Sequence, residues 1–146
     1  MKLPDSDLLI SALGQALETM AFIAVEPPAD EAPEAPGVSI ELAFAGAVKG
    51  QLVLSAPPAL GAVIAANLTL AQPDAVSPQA ALDALRELAN ITAGLLLREL
   101  CSPTEMPQLS LPRVSPQPPK LGASDFCLAA VSAEGHPVTI SLRIAA

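Results

Sequence analysis

Residues 78–100 constrain this chain more than any other stretch. Ser77-Pro78 offers an N-cap followed by proline at the first helical position, and Ser102-Pro103 offers a stop. The helix expected between them is sorted by side. Leu82, Leu85, Leu88, Ala89, Leu95 and Leu96 fall away from a polar stripe and anchor the helix from behind. Asp83, Glu87, Asn90 and Gly94 make up that stripe. At i, i+4, i+7 and i+11 they lie at roughly 0°, 40°, −20° and 20° around the helix. Two carboxylates, a carboxamide and a bare patch of backbone therefore face outward together. Glycine inside a helix costs about 1 kcal/mol against alanine, so Gly94 implies that something approaches closely there.

The rest of the chain offers little chemistry. Seven Lys and Arg stand against fifteen Asp and Glu, and the net charge is −8. With three Phe and no Trp or Tyr, the chain lacks both the basic footprint and the stacking residues that nucleic acid requires. Cys101 and Cys127 have no metal spacing and no CxxC, so reduced, partly buried thiols are expected. His136 sits in a turn-like Glu-Gly-His-Pro and has neither a zinc set nor a GxSxG elbow to join. No metal site is expected. The N-terminus makes a poor secretory signal, and residues 52–71, the most membrane-like window, are broken by Pro57, Pro58, Gly61 and Asn67. The expectation is a cytoplasmic protein without membrane contact.

The 146 residues read as one domain. Leu8, Leu9, Ala12, Leu13, Ala16, Leu17 and Met20 space a first helix over 5–20, capped by Asp5 or Ser6. Residues 22–25 read as a short strand, and the acidic, proline-rich stretch 26–36 as an exposed loop. Alternation over 38–44 and a return over 51–55 read as a hairpin, followed by a helix opened by Pro57 or Pro58 and running to about Leu68. After the central helix, 108–111 is an edge strand or irregular segment, and 125–132 with 138–144 form a second hairpin across 133–137. The order is α-β-β-β-α-α-β-β-β. The fold class is α+β, a mostly antiparallel sheet with helices packed on one side.

The pattern Asp83-xxx-Glu87-xx-Asn90 resembles the signature of the CheC/CheX/FliY phosphatases of bacterial chemotaxis, in which Ser or Asp is followed by Glu and then Asn. Pro112, twenty-two residues after Asn90, is similar to that family's downstream proline. Residues 44–54, Phe-Ala-Gly-Ala-Val-Lys-Gly-Gln-Leu-Val-Leu, look like the hairpin before its middle helices. Two-site members carry Glu-Asn on two helices. Here Glu18 is followed three residues on by Ala21, so the single-site, CheX-like members are the closer resemblance. The acidic loop at 26–36 matches no feature of the family.

What the resemblance implies is a phosphatase acting on a phosphorylated, CheY-like receiver domain. Asn90 would be inserted into the receiver's active site and orient the attacking water, Glu87 would pair with the receiver's lysine, and Asp83 would extend that contact. The protein would need no cofactor of its own, the receiver bringing Mg²⁺. An acyl phosphate is already reactive, so positioning is the main task, and a carboxamide both accepts and donates without titrating near neutral pH. Two other readings stay open. One is a non-catalytic module of the same fold that binds a receiver or flagellar-switch proteins. The other is a plain α+β domain whose sheet edge forms homodimers, its helix face merely solvated and Glu87 paired with Arg86.

Overall fold

The computed structural model describes residues 5–28, 37–115 and 126–145. Helix α1 spans Ser6–Ala21 and is capped by Asp5, whose carboxylate accepts from the Leu8 amide at 2.7 Å. Its inward face is Leu9, Leu13, Ala16 and Leu17. The helix does not run on into a strand at Phe22. Phe22 takes the left-handed conformation, with φ 59°. Its amide donates to the Glu18 carbonyl and that of Ile23 to Leu17, a termination that turns the chain so that Ile23 is buried. Strand β1 is therefore only Val25–Glu26, and Glu26 belongs to it rather than to the proline-rich loop. Residues 29–36 of that loop lie outside the described residues.

The first hairpin forms as expected from its alternation. β2 (Val38–Ala45) and β3 (Lys49–Ala56) pair from Val38↔Ala56 to Phe44↔Gly50. Ile40, Leu42, Phe44, Leu52 and Leu54 point into the core. Gly50 lies inside β3 because the Phe44 ring and the Arg143 carbonyl occupy the space that a Cβ would need. Helix α2 (Pro58–Thr69) opens on proline at its first turn, and α3 covers Pro78–Leu100.

Past α3, the single segment expected at 108–111 is instead two short strands, β4 (Gln108–Leu109) and β5 (Arg113–Ser115). Both lie antiparallel to β2, and Pro112 between them has no amide to continue a ladder. The second hairpin joins β6 (Phe126–Ala133) to β7 (His136–Ala145). Glu134 and Gly135 both have positive φ, the conformation of a two-residue hairpin turn. His136 is thus the first residue of β7, opposite Ala133, and not part of the turn. Asp125, expected in this hairpin, lies outside the described residues.

Among the described residues the sheet runs β1-β6-β7-β3-β2-β4, with β5 also on β2, and every pairing is antiparallel. The α+β class and the order of elements agree with the sequence, with one strand added late in the chain. Helices α1, α2 and α3 and the inward side of the sheet share one core, in which Leu13, Leu52, Leu60, Leu85, Leu88 and Ile140 are buried. At the far end of α1, Asn67 of α2 donates from Nδ2 to the Ala21 carbonyl at 2.9 Å. That bond satisfies one of the carbonyls a helix leaves open at its end.

Candidate functional site

The site is built on α3. Ser77 Oγ accepts from the Ala80 amide at 3.1 Å, Pro78 opens the first turn, and the backbone becomes extended at Cys101, just ahead of Ser102-Pro103. Ala81, Leu85, Leu88, Ala89, Thr92 and Leu96 are buried along one side. The buried Thr92 hydroxyl donates to the Leu88 carbonyl at 2.7 Å, so the inward face leaves no polar group unmet there. Leu82 is a half-buried flank, and Leu95, also half-buried, still packs against the core.

The opposite side carries the stripe foreseen from the spacing. Asp83 and Glu87 are exposed, and Asn90 and Gly94 are half-buried. From Asp83 to Gly94 the helix rises about 16 Å, and from Glu87 to Asn90 about 4.5 Å. Apart from its own helix backbone and chain neighbours, nothing among the described residues stands within 4 Å of where a Gly94 Cβ would be. Among the described residues the missing side chain answers no packing need. Glu87 and Asn90 make no hydrogen bond or ion pair within the described residues, so both head groups are uncommitted.

Asp83 differs from them. Its Oδ1 accepts from Gln79 Nε2 and from Arg86 Nη1, each at 2.9 Å. Arg86 thus pairs with Asp83, three residues back, and not with Glu87. The physical reason is that adjacent residues on a helix diverge by about 100°, whereas residues three apart are neighbours. The site contains this cation, which the pattern of carboxylates and carboxamide did not single out. The i, i+3 spacing of Asp83 and Arg86 was the available signal.

Among the described residues no group of three or more His, Cys, Asp or Glu could hold a metal ion. Cys101 is buried and Cys127 half-buried, both as free thiols. Burial first, and the Asp5 carboxylate second, push the Cys127 thiol up from its ordinary value, the reverse of what a nucleophilic thiolate needs. No helix among the described residues is long and apolar enough to cross a membrane.

An antiparallel sheet backed by helices, with an acid-and-amide stripe on the outer side of its longest helix, defines an α+β protein whose candidate site is the outward face of α3. The family model described as "Chemotaxis phosphatase CheX" matches residues 38–119, more than half of the chain, and the chain belongs to that family. Solved structures agree on the fold. CheX from Vibrio vulnificus superposes with a TM-score of 0.73 at 19% identity, over 95% of each chain. A putative chemotaxis protein from Desulfovibrio vulgaris Hildenborough gives 0.72 at 18%, also over 95% of each. CheX from Borrelia burgdorferi, in a complex with CheY, BeF₃ and Mg²⁺, gives 0.68 at 16%, over 99% of this chain and 100% of that one. No curated protein sequence matches the chain.

Proposed function

We propose that the chain is a phosphatase of a phosphorylated, CheY-like receiver domain, and that Asn90 orients the water that attacks the aspartyl phosphate. The observation that carries this reading is the state of the stripe. Asn90 and Glu87 are uncommitted, lie one turn apart, and stand beside the bare backbone of Gly94. The family is one of chemotaxis phosphatases, and a neighbour of the same fold is known in complex with CheY; both support a receiver as partner.

In this mechanism the stripe enters the receiver's active site side-on. Glu87 pairs with a lysine there and sets the register. The Asn90 side-chain oxygen accepts a hydrogen bond from the water, so that the water stands in line with the scissile P–O bond. Neither group needs to protonate a leaving group: as the water bonds to phosphorus the P–O bond breaks, and the receiver's aspartate departs as a stable carboxylate while the phosphoryl group becomes inorganic phosphate. The receiver supplies its own Mg²⁺.

The test is phosphate release from receiver domains phosphorylated by a small phosphodonor, with and without this protein. Wild type accelerates release from one or more of them. Asn90→Ala keeps its affinity and melting temperature, because a surface carboxamide contributes little to stability, and loses at least a hundredfold in rate. Unchanged release in the variant rules out Asn90 as the group that places water. Binding without any acceleration by wild type identifies the non-catalytic receiver-binding module instead.

A further inference from the structure

On the reading of the stripe as a receiver phosphatase site, the geometry points to a phosphoryl-recognising role for Arg86, with Asp83 and Gln79 as the residues that hold it in place. The problem it solves is electrostatic. A chain of net charge −8, presenting Asp83 and Glu87 on its contact face, must bring that face against a phosphoryl group. Like charges brought together at an interface oppose docking. Arg86 is the one Lys or Arg in residues 50–97, and it falls beside the stripe. It stands four residues before Asn90 and Glu87 three before it, the two positions that neighbour Asn90 on the preceding turn. Asn90 is therefore flanked by a cation on one side and an anion on the other.

The side chain is held but not used up. Arg86 Nη1 donates to Asp83 Oδ1 at 2.9 Å, and Gln79 steadies the same oxygen from the turn before. Its Nε is buried without a partner, and the side chain as a whole keeps 37% of its surface exposed. The outer nitrogen Nη2 has no partner among the described residues. An exposed Asp–Arg pair three residues apart contributes little to stability. A guanidinium held at Nη1, with Nε buried and only Nη2 left open, is suited to one directional, charge-assisted hydrogen bond to a phosphoryl oxygen. Asp83, expected from the family pattern to extend contact with the receiver, is on this account a positioning residue that sets the angle of Arg86.

The experiment measures binding of the receiver dephosphorylated fastest by wild type, with and without beryllium fluoride and Mg²⁺, alongside turnover of its phosphorylated form. Arg86→Gln keeps the length of the side chain and removes its charge. It is expected to lose about tenfold in preference for the fluoride-loaded receiver, with affinity for the unloaded receiver within twofold of wild type and an unchanged melt. Arg86→Lys restores part of that preference, and Asp83→Ala, which frees the guanidinium, loses about threefold. Equal losses on loaded and unloaded receiver, or no loss at all, overturn the assignment, as does a preference that Arg86→Lys leaves unrestored. Asn90→Ala is the control that separates the two readings: it should lose turnover and keep the preference. A wild type that neither binds nor dephosphorylates any receiver overturns the function reading and this inference with it.

Discussion

At the scale of single residues, the stripe was legible because helical spacing needs no tertiary information. Asp83, Glu87, Asn90 and Gly94 align by arithmetic on the sequence, and the structure leaves all four at the surface. The partnering of those groups was legible only in the i, i+3 spacing of Asp83 and Arg86, because Glu87, adjacent to Arg86, diverges from it around the helix. If Glu87 pairs with a receiver lysine as proposed, charge reversal to Lys should set like charges together there, and affinity for the receiver should fall at least tenfold. Titrations at rising ionic strength check the cause, because the deficit of the variant narrows as screening grows. Gly94 separates docking from stability. With open space where its Cβ would be, Gly94→Ala should raise stability by about 1 kcal/mol through helix propensity alone. Gly94→Leu should keep the stability of wild type or better, yet hold the receiver off the helix and lose both binding and turnover. A variant that melts earlier shows that the position packs inside the protein.

Among the elements, those with chemical punctuation at their ends were readable. Ser77-Pro78 and Ser102-Pro103 bound α3, Asp5 caps α1, and the alternation of β2 and β3 survives in their register. Elements decided by distant partners were not. Phe22 follows a helix and looks β-prone, but burying Ile23 requires a left-handed turn at that point. Pro112 marks the break between β4 and β5 locally, but that both segments pair with β2, about seventy residues away, is not written in the local sequence. Gly61 makes the contrast with Gly94. Both interrupt a helix, and propensity treats them alike. At Gly61, however, a Cβ would run into the Ala81 carbonyl, with Leu85 Cγ at 3.0 Å, because α2 crosses α3 there at close range. Gly61→Ala should therefore destabilise the fold by about 1–3 kcal/mol, the range for overpacking, where Gly94→Ala stabilises it. Paired urea melts of the two variants check the opposite signs.

For the whole molecule, class and chain order came from hairpin signals and helix periods, while the sheet order did not. Nothing local says that the last hairpin inserts between β1 and β3, leaving β7 and β3 central. That arrangement is chosen by the total apolar surface buried, which no short window contains. One feature of it reaches beyond packing. The helix that presents Glu87 and Asn90 is the same rod that contributes Leu85, Leu88, Leu96 and Leu97 to the centre of the core. There is no hinge between the working surface and the load it rests on. The amide protons of residues 87–90 should then exchange with solvent only when the whole domain opens, with protection close to the global unfolding free energy rather than the small values of a mobile loop. Deuterium uptake along α3, set beside that of β1 and β4 at the sheet margins, measures this directly. On the proposed function, heating should cost no activity until the domain itself melts.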